Sequence, residues 1–157
     1  MTAVRFAIGI DPGLSGAIAL LRNGEYAEVW DMPTMGRGTG SKQQINSAEV
    51  ARILRECPPC PAFIELVGAM PGQGVSSMFN FGKAAGAVMG ALAALKFPVT
   101  EVTPQRWKRA FDLIGKEKDM ARTVAQQLMP LAPLSRKKDC GRADALLIGL
   151  CGYRQGG

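Results

Sequence analysis

Val4-Arg5-Phe6-Ala7-Ile8-Gly9-Ile10-Asp11-Pro12-Gly13-Leu14-Ser15-Gly16-Ala17-Ile18-Ala19-Leu20-Leu21-Arg22-Asn23-Gly24-Glu25-Tyr26 is the stretch whose reading sets the fold. Val4 to Ile10 is a short apolar run broken by Asp11-Pro12-Gly13, and it reads as a buried first strand. Gly16 to Leu21 is a second such run. Arg22-Asn23-Gly24-Glu25 has the chemistry of a two-residue hairpin turn and leads to a third strand, Tyr26 to Asp31. Working outward, Thr34 to Lys42 is polar and glycine-rich, as expected of a mobile surface loop. Asn46 or Ser47 can cap a helix running to about Glu56, which Pro58-Pro59 stops. Ala62 to Val67 reads as a fourth strand, followed by the glycine-containing segment Gly68 to Gly74, and a long helix is expected over Ser77 to Leu95. Gly82, Gly86 and Gly90 give that helix one bare face, suited to packing on the sheet or to a subunit contact. Val99 to Val102 is a fifth strand.

Thr103 and Pro104 supply a cap and a first-turn proline for another helix, which Gly115 breaks. A basic helix from Lys116 to about Leu128 and a last one from Gly141 to Tyr153 complete the chain. Three meandering strands followed by alternating helix and strand indicate one α/β domain with a five-stranded mixed sheet flanked by helices. A length of 157 residues suits a single domain over 1–157, and 47% hydrophobic residues suffice for a core.

Composition narrows the chemistry. Nineteen Lys and Arg against thirteen Asp and Glu leave a charge of +6, a balance that suits a nucleic-acid partner. The absence of histidine excludes Ser-His-Asp and Cys-His catalysis and any imidazole-held metal. The longest uncharged apolar stretch, Ala84 to Leu95, has twelve residues, short of the roughly 18 of a spanning helix. With no export signal apparent, Cys57, Cys60, Cys140 and Cys151 read as reduced thiols and the protein as cytoplasmic. Cys57-Pro58-Pro59-Cys60 follows a helix rather than starting one, which suits turn thiols better than a redox pair or half of a zinc site.

Of the thirteen carboxylates, three stand apart. Asp11 ends an apolar strand, Glu65 interrupts Phe63-Ile64 and Leu66-Val67, and Asp144 lies within Ala143-Asp144-Ala145-Leu146-Leu147-Ile148. A buried carboxylate without a partner costs several kcal/mol, so three in one fold suggest that they meet around cations. Carboxylate oxygens suit Mg²⁺ or Mn²⁺, and two such ions can activate water against a phosphodiester without a histidine. Taken singly, Asp11 is equally a turn residue, Glu65 a strand-end charge, and Asp144 a partner for Arg142 or a lysine. Asp31 and Glu101, at strand ends, are ambiguous.

Ile8-Gly9-Ile10-Asp11-Pro12-Gly13-Leu14-Ser15-Gly16, Phe63-Ile64-Glu65 and Gly141-Arg142-Ala143-Asp144-Ala145-Leu146 together resemble RuvC-type Holliday junction resolvases, most closely the small phage-type members. Thr103-Pro104-Gln105-Arg106-Trp107-Lys108 and Gly115-Lys116-Glu117-Lys118 are also similar to that family, so the resemblance runs from about residue 4 to 153. It implies an RNase H-like fold, a homodimer, and Mg²⁺-dependent nicking of four-way junctions in branched DNA, with Mn²⁺ as a substitute and a bacterial or phage-infected host cytosol as the setting. A helicase partner is not specified. Asp11, Glu65 and Asp144 match three of the family's four metal-binding acids. Many relatives carry the fourth three residues before the last, where this chain has Gly141; Asp139 lies five residues before Asp144 and is either that fourth ligand or an ordinary helix cap.

Arg106, Lys108, Arg109, Lys116, Lys118 and Arg122 cluster in sequence, and Arg136-Lys137-Lys138 runs into the acidic helix. These are the candidate DNA contacts, against the plainer alternative of solvated helical faces. Lys137 or Lys138 is also placed to orient water or phosphate. Phe79 and Phe81 fit either a wedge between bases or, better, core packing. Asp11-Pro12-Gly13 also resembles the phosphate loop of actin-like ATPases and sugar kinases, but those need two such domains. A flap or fork nuclease and a non-catalytic junction-binding protein are the remaining alternatives.

Overall fold

The computed structural model describes residues 2–156. Five strands form one sheet: β1 (Phe6–Asp11), β2 (Ala17–Arg22), β3 (Glu25–Asp31), β6 (Ala62–Glu65) and β7 (Val99–Val102), in the order β3-β2-β1-β6-β7. β1, β2 and β3 are antiparallel, while β6 and β7 run parallel to β1, as a meander followed by crossovers requires. Asn23 and Gly24 take φ of 53° and 77°, which makes the predicted two-residue turn a type I′.

Alternation along the strands splits the core in two. Ala7, Ala17, Ala19, Leu21 and Phe63 face α5 (Cys140–Arg154), with Trp107 of α3 (Pro104–Ala110) and Ala121 and Ala125 of α4 (Met120–Leu128). Ile8, Ile10, Ile18, Ala62 and Ile64 face α1 (Ser47–Glu56) and α2 (Val75–Ala94). The α5 side of the sheet centre is unusually small. A Cβ built at Gly9 would overlap the Ala145 carbonyl oxygen and sit 2.5 Å from the Gly149 nitrogen, so strand and helix meet backbone to backbone.

Several expectations need correction. Thr34 to Lys42 is not simply a loop: β4 (Thr34–Gly36) and β5 (Gln43–Ile45) form an antiparallel hairpin with a glycine-rich tip. Ile45 buries itself in the core and so anchors a ladder that the polar composition concealed. The basic helix starts at Met120 rather than Lys116, because Gly115 at φ 73° and a hydrogen bond from Lys116 N to Leu113 O hold the preceding residues in turns. Gly82, Gly86 and Gly90 do not pack on the sheet; α2 uses Ala84, Ala85, Val88 and Leu92, and nothing lies within 4 Å of a Cβ built at the three glycines. No helix among the described residues is long and apolar enough to cross a membrane.

Candidate active site

Asp11 and Glu65 close the parallel strands β1 and β6, whose register pairs Ile10 with Ile64 one step earlier. Both acids therefore lie at the same end of adjacent strands. Asp11 shares a face with Gly9, and Glu65 with Phe63, and that face is the one α5 covers. Asp144 is one residue before Ala145, whose carbonyl meets Gly9, so close packing of the helix carries its carboxylate to the strand ends. All three line one open cavity of about 840 Å³.

The electrostatics show how unusual the grouping is. None of the ion pairs among the described residues includes Asp11, Glu65 or Asp144. Burial raises the Asp11 carboxyl, against a hydrogen bond from Gly13 N at 3.3 Å and the charge of Lys118. Burial also raises Glu65, opposed by a 2.7 Å hydrogen bond that Trp107 Nε1–H donates to its Oε2 and reinforced by the charge of Asp11. Asp144 is pushed up to about 7, first by burial and then by the charges of Asp11 and Glu65. Three confined acids without a pairing cation have the donor chemistry of a hard divalent metal site. Among the described residues no three Asp, Glu or Cys side chains close around one point. Magnesium typically takes one or two carboxylates and completes its shell with water and substrate phosphate, which an open cavity permits.

Asp139 is not part of this cavity. It is 2% exposed at the end of a 3₁₀ turn, Lys137–Asp139, and accepts from Arg136 N and Arg136 Nη2, each at 2.8 Å, with Arg142 Nε at 3.7 Å. Arg136 holds its carboxyl below the ordinary range. Nor does its side chain cap α5. Asp139 stands at the N-cap position of α5, one of the two places expected for it, but its side chain fastens the preceding turn rather than bonding the helix. The alternative that Asp144 pairs with Arg142 also fails, because Arg142 is held by Asp31 at 2.7 and 3.0 Å.

Gly141, where an acid was missing, has a steric cause. A Cβ there would overlap the Ser15 carbonyl oxygen and come within 3.0 Å of the Gly16 Cα. The first turn of α5 lies directly against the loop after β1.

The candidate DNA contacts divide by position. Lys118, Lys137 and Lys138 line the cavity with the acids. Lys108 is close enough to lower the pKa of both Glu65 and Asp144. Arg106, Arg109 and Lys116 are exposed on α3 and the turn after it. The guanidinium of Arg136 is engaged by Asp139, and Arg122 is bound to Asp119 and to the Leu134 carbonyl. Phe79 is 69% exposed and Phe81 lies on the cavity wall, so neither is a core residue. Cys57 and Cys60 are buried beside α1, with burial pushing the thiols up to about 12 and about 11; Cys151 lies in the core on the opposite face of the sheet. These positions match inert thiols. Trp107 is the site residue that sequence reasoning overlooked. A tryptophan 1% exposed must place its N–H somewhere, which was the available signal.

The RuvC of Polynucleobacter asymbioticus, a crossover junction endodeoxyribonuclease, is 30% identical over 151 residues, covering 92% of this chain and 86% of that protein. The chain belongs to the RuvC family. A chloroplastic Holliday junction resolvase of Chlamydomonas reinhardtii, MOC1, is 36% identical over 147 residues, 76% of this chain but 16% of that longer protein. Among solved structures, Thermus thermophilus RuvC in complex with Holliday junction substrate superposes with a TM-score of 0.65 at 19% identity, covering 97% of this chain and 96% of the other. That likeness extends the family's fold over nearly the whole sheet and its helices. No protein-family model matches the chain.

Proposed function

We propose that this RuvC-family chain is a metal-dependent, structure-selective DNA endonuclease that nicks four-way junctions, acting as a cytosolic homodimer of a single nuclease domain. The observation that carries the reading is the placement of Asp11, Glu65 and Asp144, unpaired and partly desolvated, in one cavity rimmed by Lys118, Lys137 and Lys138. Divalent cations, Mg²⁺ with Mn²⁺ as a substitute, held by these acids would supply a nucleophilic water at neutral pH and charge for the departing 3′ oxygen.

The chain's own residues prepare that chemistry. The indole of Trp107 fixes one oxygen of Glu65, and Gly13 N fixes one of Asp11, so two of the acids are oriented before substrate arrives. Lys118, Lys137 and Lys138 draw a phosphodiester backbone toward a group of acids that would otherwise repel it. Hydrolysis adds water across the P–O3′ bond, leaving a 5′ phosphate and a 3′ hydroxyl. Asp139 takes no part in metal binding in this reading and stabilises the turn before α5. Phe79 and Phe81 are available to stack on opened bases, and the bare glycine face of α2 suits the subunit contact.

The test is cleavage of a labelled four-way junction beside a flap, a fork and linear duplex, with Mg²⁺ and with EDTA. Paired, Mg²⁺-dependent nicks confined to the junction are expected. Equal cutting of every branched substrate identifies a broader debranching nuclease, and tight binding without nicks identifies a non-catalytic junction binder.

A further inference from the structure

Beyond the acid-lined cavity lies a second hollow of about 400 Å³, between the β4–β5 hairpin, the start of α1 and the side of α2. The two are continuous in their walls: Leu14, Asn80 and Ala84 line both. Their chemistry is opposite. The first holds four carboxylates, Asp11, Glu65, Asp119 and Asp144; the second holds none, and has Arg37 and Lys83 with the amides of Gln43 and Gln44.

Arg37 is held by a neutral side chain. Its Nη1 donates to the side-chain oxygen of Asn80 at 2.9 Å, and its backbone N donates to Lys42 O at 2.9 Å, closing the hairpin tip. The anchor is a neutral amide, not an acid, and among the described residues neither Arg37 nor Lys83 forms an ion pair. A guanidinium with five donors keeps most of them for a ligand after one goes to Asn80. Planar, charged donors of this kind suit phosphate oxygens. Lys118, Lys137 and Lys138 line the cavity with residues of α5, whereas Arg37 and Lys83 belong to the hairpin and α2, which pack on the other face of the sheet. The acids thus lie between two positive walls.

The geometry points to a second strand-binding subsite, in which Arg37 and Lys83 hold backbone phosphates of the same DNA strand that passes over Asp11, Glu65 and Asp144. This rests on the nuclease reading above and extends it to residues on the far side of the scissile position. Asn80, shared by both hollows, sets the position of Arg37 relative to the acids.

The experiment measures junction binding as a function of salt in the cleavage-dead Asp144→Asn protein, with and without Arg37→Ala and Lys83→Ala together. Each lost phosphate contact removes about 0.9 from the slope of log affinity against log salt, so the double change should flatten it by about 1.8. Lys83→Ala alone sits on an exposed turn of α2 where alanine favours the helix, and should remove about half of that. Phosphate-ethylation interference should in parallel lose its signal on one side of the nick only. If the parent binds with a steep salt slope and neither substitution changes it, the subsite is wrong while the nuclease reading stands. If the parent neither binds nor cuts branched DNA, the nuclease reading fails and takes the subsite with it.

Discussion

Replacing Asp144 by Asn removes a negative charge from a cavity that already holds Asp11 and Glu65, at almost unchanged side-chain size. In the folded protein burial and those two neighbours push the Asp144 carboxyl from the ordinary 3.8 up to about 7. The unfolded chain releases the same proton near 3.8, so between these values the folded state binds a proton that the unfolded state lacks. The group's contribution is therefore fully present below 3.8, declines as pH rises, and is lost once pH passes about 7. About three pKa units at ~1.36 kcal/mol each give a ceiling near 4 kcal/mol. Asparagine carries no charge at any of these pH values. In EDTA at pH 8 the Asp144→Asn protein should accordingly be more stable than its parent by about 2–4 kcal/mol, shrinking to about 1 kcal/mol near pH 4.5.

Urea unfolding at both pH values measures this directly, through midpoints at constant slope. A divalent cation should reverse the order at pH 8, because it binds the folded parent and raises its stability by mass action while the variant has lost a ligand. Cleavage should be abolished in the same variant. An Asp144→Asn protein no more stable than the parent at pH 8 in EDTA, or a difference independent of pH, would show that Asp144 is not a confined anion. The reasoning that the acids are poised for cations would then fail, whatever the activity.

Trp107→Phe removes the hydrogen bond to Glu65, at a cost of about 1.5–3 kcal/mol in stability, and frees that carboxyl to rise further in pKa. The acidic limb of the pH–rate profile should move to higher pH, and an unmoved limb would separate Trp107 from the site. Gly141→Asp, which places an acid where many relatives have one, should destabilise by about 3 kcal/mol or more, since its Cβ overlaps the Ser15 carbonyl. A stable variant in urea titration would contradict the close contact. Asp139→Asn should cost about 1–3 kcal/mol through weakened contacts to Arg136 and Arg142, with cleavage by the folded fraction retained. A hundredfold loss of cleavage from a folded Asp139→Asn protein would return that residue to the metal site.

Much of the sheet was legible because its signals are local. Asn23-Gly24 specifies a hairpin over two residues, and apolar residues at successive positions of β1 and β2 give each strand two buried faces. Asp11, Glu65 and Asp144 stood out for a similar reason: each is a charge in or beside an apolar run, an inconsistency that a shared site resolves for all three together. What stayed hidden depends on partners distant in sequence. Trp107 finds Glu65 across 42 residues and Arg142 finds Asp31 across 111, and no spacing rule announces either. The hairpin of β4 and β5 was masked because its ordering contact, Ile45, is a single apolar residue in a polar stretch.

Gly141 shows how one packing constraint accounts for a departure from the family pattern. Asp144 lines the same cavity as Asp11 because α5 lies backbone to backbone on β1, with Gly149 against Gly9. The same approach presses the first turn of the helix on Ser15 and Gly16, and leaves no room for a side chain at 141. Asp139, two residues earlier, belongs to the turn before the helix, where Arg136 and Arg142 hold its carboxylate. The close contact that brings three acids to one cavity thus also excludes a side chain at 141. On the proposed reading, Lys118, Lys137 and Lys138 would draw phosphate to the cavity, and water and substrate oxygens would complete the shell of a bound metal.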